Sequence, residues 1–132
     1  MAVDPSRLAS VPLFAGLSPE ELGLVAAKLE ERDLHVGEHL SSEGGAGYFF
    51  FVIESGRADV VKHGEKVAEL GPGDFFGEGA IFRARRRTAT VTAVEAGVVF
   101  AMFGADFAKL VSDIPEVHER IDAALDARLP VD

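Results

Sequence analysis

The feature that most constrains this chain is the run Tyr48-Phe49-Phe50-Phe51-Val52-Ile53. Such a short block of aromatic and β-branched residues is too short for a helix and reads as a buried strand. More short apolar segments surround it, each closed by turn residues. Leu34-His35-Val36 and His39-Leu40 flank a turn at Gly37. Gly56 marks another turn, after which Ala58, Val60 and Val61 begin a strand. His63-Gly64-Glu65 is a hairpin-like turn ahead of Val67 to Leu70, and Gly71-Pro72-Gly73-Asp74 is a clear break. Thr88 to Val94 alternates, with Ala89, Val91 and Ala93 on one face; Gly97 separates it from Val98 to Phe103. The count of 14 glycines in 132 residues suits so many tight turns. About eight short strands at regular spacing predict a barrel or roll.

Helical patterns bracket the strands. Ser18-Pro19-Glu20-Glu21 is a helix start: serine at the N-cap, proline at the first helical position, glutamate at the third. Leu22, Val25, Ala26 and Leu29 follow at helical spacing, and this helix is expected to end near Glu31. Val11, Leu13, Phe14 and Leu17 are expected to pack on it. After Gly104 the helical period returns over Ala105 to Val111. A last helix starts at Pro115 and carries Val117, Ile121, Ala124, Leu125 and Leu129.

Hydrophobic residues make up 48% of the chain, and the length suits one domain over 1–132 with one core. No apolar run approaches the ~20 residues that span a bilayer, and no basic-then-apolar leader is visible, so a cytoplasmic setting without a membrane is expected. There are no cysteines, so disulfide and thiol chemistry are excluded. The formal net charge of −9 repels a phosphate backbone and argues against direct nucleic-acid binding. Yet Arg83-Ala84-Arg85-Arg86-Arg87 places four of the 13 basic residues together. A local reversal of this kind in an acidic chain suggests a small anionic ligand.

The chemistry concentrates in Phe76-Gly77-Glu78-Gly79-Ala80-Ile81-Phe82 and Arg87-Thr88-Ala89-Thr90-Val91-Thr92-Ala93. A glycine turn closes a strand, a carboxylate follows, a short helical turn fits Gly79 to Phe82, and an arginine opens the next strand. Unpaired N–H groups at the start of a helical turn can face an anion. The Arg87 guanidinium suits phosphate oxygens, whereas the Glu78 carboxylate suits hydroxyls. A sugar phosphate of a nucleotide satisfies both.

This segment resembles the phosphate-binding cassette of cyclic-nucleotide-binding domains, in which Phe-Gly-Glu-Leu-Ala and a short helix precede Arg-(Ala/Ser/Thr)-Ala-Thr-Val. Val36-Gly37-Glu38-His39-Leu40, Glu43-Gly44, Tyr48 to Gly56 and Leu70 to Phe76 resemble further landmarks of that family, in the same order. The resemblance covers roughly Leu13 to Leu125. It implies an α+β, mainly β fold: an eight-stranded β-roll or jelly roll (a double-stranded β-helix) with N-terminal helices and two C-terminal helices. The roll would span about 31–103, the cassette 76–93 and the C-terminal lid helices 105–129.

The resemblance also implies roles. Gly77, Glu78, Gly79, Ala80, Arg87, Thr88 and Ala89 would bind cAMP or cGMP, with no cofactor and no metal. Arg87 would pair with the cyclic phosphate and Glu78 would accept from the ribose 2′-OH. Backbone N–H groups of Ala80 and Thr88 would contact phosphate, and Gly77 would lie against the ribose. Threonine at 88 leans toward cyclic GMP. Ile121, Ala124 and Leu125 are candidates to cover the base.

Two residues depart from the pattern: Gly79 stands where leucine is usual, and Arg86 where proline or valine is. Arg83, Arg85 and Arg86 are read as a solvated charged face. His35, His39, His63 and His118 are scattered and form no metal set. No nucleophile–base pair supports an enzyme. The expected function is a ligand-driven regulatory module; the alternative is a degenerate, non-binding domain of the same fold that serves interaction or dimerisation. No helix-turn-helix pattern follows the last helix, so a homodimer, a partner protein or a fused output domain would receive the signal through the C-terminal helix.

Overall fold

A computed structural model describes residues 3–41, 49–77 and 89–127. A short 3-10 helix, Pro5–Leu8, precedes helix α1, Pro19–Lys28. Strands β1 (Glu30–Leu34), β2 (His39–Ser41), β3 (Phe49–Lys62), β4 (Glu65–Leu70), β5 (Phe75–Phe76) and β6 (Thr90–Phe103) follow. Helices α2 (Gly104–Asp113) and α3 (Pro115–Ala127) close the described chain. None of the described helices is long and apolar enough to cross a membrane.

Helix α1 forms as its first residues dictate. The Ser18 side chain accepts from the Glu21 N–H at 3.1 Å, and the Glu21 carboxylate accepts from the Ser18 N–H at 3.0 Å. This reciprocal cap satisfies two N–H groups that a helix start leaves open. The helix stops at Lys28, short of the expected Glu31. Leu29 is extended, and Glu30 to Leu34 pair antiparallel with Gly97 to Ala101. Cross-strand pairing with β6 outcompetes one more helical turn of acidic residues.

All the strands join one antiparallel sheet, in the order β1-β6-β3-β4, with β2 also on β6 and β5 on β3. Among the described residues there are six strands, not the expected eight. The reason is that Gly56 and Gly97 do not end strands. Both β3 and β6 run for 14 residues straight through the positions read as turns. The two glycines meet at this crossing. A Cβ on Gly97 would stand 2.1 Å from the Ser55 carbonyl oxygen, and one on Gly56 would stand 2.8 Å from that of Glu95. Gly56 also sits at φ +86°, a region that side-chain-bearing residues rarely adopt. Register shifts on β3 between Ile53 and Ala58 mark the bulges that bend both strands.

The bend turns one sheet into a roll. The first halves of β3 and the last of β6 carry β1 and β5; the other halves carry β2 and β4. Apolar side chains from both halves share one interior: Leu34, Phe51, Ile53, Val99 and Ala101 meet Ala58, Val60, Leu70, Val91 and Ala93. The alternate residues Phe50, Val52, Phe100 and Met102 face the other way, into a second core with the helices. That explains why Phe49 to Ile53 is apolar without alternation: both faces of this strand are covered. Phe50 stacks on Phe107 of α2 with ring centroids 3.9 Å apart and planes 6° apart. Such a pair adds about 0.5–1.5 kcal/mol beyond area burial. Val11, Leu13, Phe14 and Leu17 lie in the same helical core as Val25, Ala26 and Leu29, as expected.

Candidate functional site

The segment singled out in the sequence leaves the roll from β5 and returns on β6. Its approach is the turn Gly71–Asp74, closed by Asp74 N–H to the Gly71 carbonyl (3.0 Å) and Gly71 N–H to the Asp74 carboxylate (2.8 Å). The turn is tied to β3 in both directions: Gly73 N–H donates to the Ile53 carbonyl at 2.8 Å, and Ile53 N–H to the Asp74 carbonyl at 2.9 Å. Phe76 then pairs with Phe51, their rings stacked at 4.9 Å, while Phe75 turns to Phe50 at 5.7 Å. Successive residues of a strand point to opposite faces, so β5 is wedged into both cores.

Gly77 follows, buried, at φ +100°. An L-residue with a side chain is strained there. Ala89, on the return side, is 2% exposed and faces the roll interior. Thr90 and Val91 pair with Val61 and Val60, and Val91 and Thr92 also meet Ser41 and His39 of β2. His39 Nδ1 and Thr92 Oγ1 lie 2.8 Å apart across that pair. The two ends of the segment are thus anchored on the two halves of a single strand, β3. Glu78, Gly79, Ala80, Arg87 and Thr88 lie outside the described residues, as do Arg83, Arg85 and Arg86.

Helix α3 was expected to carry the cover for a base. Ile121 is 1% exposed, in the helical core with Val117 and the N-terminal segment rather than in the roll interior. Ala124 and Leu125 belong to the last turns of α3.

Two arginines that the sequence did not mark organise the surroundings. Arg7, on the 3-10 helix, donates from Nε to Glu54 Oε2 at 2.8 Å and also pairs with Glu31. The two carboxylates raise its pKa further above the ordinary arginine value. Its guanidinium lies 5.0 Å from the centre of the Phe100 ring, a cation–π distance. Arg120 of α3 donates from Nη1 to the carbonyls of Leu13 at 2.8 Å and Pro12 at 3.3 Å. A cavity of about 350 Å³ lies beside it, lined by Pro12, Leu13, Gly73, Asp74, Phe75, Arg120 and Ala123. No sequence signal pointed to either arginine, because each meets partners remote in the chain.

A β-roll backed by helices, with the buried Gly77 just after β5, is the frame that known sensor domains share with this chain. The family described as the cyclic nucleotide-binding domain matches residues 31–113, and the chain belongs to it. It is a regulatory domain of that family. It is 35% identical over 108 residues to a cAMP-dependent protein kinase regulatory subunit of Yarrowia lipolytica, covering 82% of this chain and 28% of that protein. It is 31% identical over 123 residues to the cyclic AMP receptor protein of Thermus thermophilus, covering 89% and 57%. Among solved structures, the regulatory domain of Toxoplasma gondii PKA with cAMP superposes with a TM-score of 0.82 at 26% identity, covering 93% of this chain and 48% of that one. The Thermus thermophilus catabolite activator protein gives 0.79 at 32% identity, covering 89% and 58%. The chain spans less than two thirds of the length of these relatives.

Proposed function

We propose that this domain binds a cyclic mononucleotide, cAMP or cGMP, in the cassette 76–93 and acts as a ligand-driven switch in the cytoplasm. Arg87 pairs with the cyclic phosphate, Glu78 accepts from the ribose 2′-OH, and backbone N–H groups of Ala80 and Thr88 complete the phosphate cradle. Gly77, Gly79 and Ala89 leave room for the ligand to approach the backbone. The domain turns over no nucleotide itself. Its output passes through α3 to a second copy, a partner protein or a fused domain, and not by direct contact with nucleic acid.

The observation that carries this reading is the anchoring of the cassette. Phe76 at its start pairs with Phe51 of β3, the buried Gly77 follows at φ +100°, and at its far end the buried Ala89 leads into Thr90, which pairs with Val61 of β3. Fixing both ends of a loop lowers the entropic cost of closing it on a ligand. The kinase regulatory subunit and receptor protein to which the chain is similar support the class of ligand.

Titration calorimetry with cAMP and with cGMP tests the reading. A charge-assisted hydrogen bond is worth roughly 1.5–3 kcal/mol, so Arg87→Ala is expected to weaken binding by ~10- to ~100-fold or more. Unchanged affinity in that variant sinks the assignment of Arg87. Gly79, in place of an apolar residue in the cassette turn, favours the second reading, a domain of this fold that binds no nucleotide; absence of heat with either ligand supports it.

A further inference from the structure

We propose that Arg120 is a latch that holds α3 on the N-terminal segment and couples α3 to the turn that feeds the cassette. The inference rests on the binding function proposed above and assigns a regulatory residue to it. The path is a chain of direct contacts. Arg120 Nη1 donates to the carbonyls of Leu13 and Pro12. The Pro12 ring abuts Gly73: a Cβ there would stand 3.2 Å from Pro12 Cδ. Gly73, at φ +90°, donates to the Ile53 carbonyl and lies in the turn that runs directly into β5 and Gly77. Any shift of that turn toward a bound phosphate moves the surface against which Pro12 rests. It therefore disturbs the two carbonyls that Arg120 holds.

Three further observations favour a latch over simple packing. Arg120 is the one α3 side chain, among the described residues, with hydrogen bonds to another element given by geometry; His118 pairs within the helix, with Asp122. An open cavity of about 350 Å³ lies between Arg120 and Ala123 on one side and Asp74 and Phe75 on the other, so the face of α3 toward the turn is not closely packed against it. Finally, a guanidinium on carbonyl oxygens is a polar tie that water can replace, unlike the buried Val117 and Ile121. The docked helix is one state of the switch. The state in which α3 covers a base requires the tie to open. Because water can replace either carbonyl at this partly exposed guanidinium, the tie biases that equilibrium by about tenfold, less than two buried charge-assisted bonds would.

The test uses the whole chain with Arg120→Ala and Arg120→Lys, each measured by hydrogen exchange without ligand and by titration with cAMP and cGMP. Arg120→Ala is expected to speed exchange of α3 amides about tenfold while α1 and β6 keep parental rates, and to tighten nucleotide binding by up to about tenfold. Arg120→Lys, which keeps one charged donor, is expected to restore part of both. A merely structural arginine would give weaker binding on removal, so the sign separates the two roles. Unchanged α3 exchange in Arg120→Ala overturns the latch; faster exchange with equal or weaker binding overturns its coupling to the cassette. If the parent binds neither nucleotide, the proposed function falls, and the exchange rates alone still decide whether Arg120 holds the helix.

Discussion

Gly97 is held so tightly against Ser55 that its hydrogen is the largest substituent the crossing admits. An added Cβ would lie 2.1 Å from the Ser55 oxygen, 2.4 Å from its carbonyl carbon and 2.6 Å from the Gly56 nitrogen. All three are backbone atoms, which cannot swing away as a side-chain tip can. Gly97→Ala is therefore expected to destabilise the domain by about 3 kcal/mol, at the upper end of overpacking costs. Urea unfolding measures it, and a loss below about 0.5 kcal/mol would mean the strands part freely at the bend. In the sequence Gly97 was legible only as a glycine between apolar runs. A turn and a kink within a strand carry the same local signal. What distinguishes them is the partner strand, which lies some 40 residues away, in the order of the Val98–Ser55 separation of 43.

At the scale of elements, β4 shows how the outer strands are held. It pairs only with β3 among the described strands, and charged side chains lace that pairing. Lys66 contacts Glu69 at 2.6 Å and Asp59 at 3.3 Å; Arg57 meets Glu69 at 2.8 Å and Glu95 at 3.5 Å. Hydrogen bonding and attraction from Lys66, then Arg57, hold the Glu69 carboxyl below its ordinary value of 4.5. A carboxyl depressed in the folded state adds stability above its unfolded pKa, and that stability is lost as pH falls through the folded value. These side chains are exposed, so the contribution is small and screened by salt. The expected result is a thermal midpoint that falls slightly more for the parent than for Glu69→Gln as pH drops below about 4.5, with the difference shrinking in high salt. Parallel pH profiles would mean the network contributes nothing to folding. By contrast, α1 was fully readable at its start, because a capping box is local chemistry, and misread at its end. Helix-compatible glutamates at 30 and 31 become strand only because β6 lies alongside.

For the molecule as a whole, the two cores are joined through β3 and β5, so the roll and the cassette's approach form one packed body. A ligand that binds only the folded state stabilises it by mass action. Cyclic nucleotide at 100 times its dissociation constant is expected to add about 2.7 kcal/mol, read as a raised midpoint in thermal unfolding. No shift with either nucleotide at millimolar concentration contradicts the proposed function.

The division between sequence and structure follows the range of the forces involved. Local chemistry determined the capped helix, the buried central strand, the Gly-Pro-Gly-Asp break and the order of motifs that marks the family, since each depends on neighbours a few residues apart. The roll type was legible for the same reason. Tertiary structure alone decided that two apparent turns are one crossing of long strands, that the aromatic run is buried from both sides, and that Ile121 belongs to the helical core. It alone brought Arg7 to Glu54, 47 residues on, and Arg120 to the carbonyl of Leu13, 107 residues back. An arginine carries its charge in the sequence but not its partner; only the packed chain supplies the oxygen it will hold.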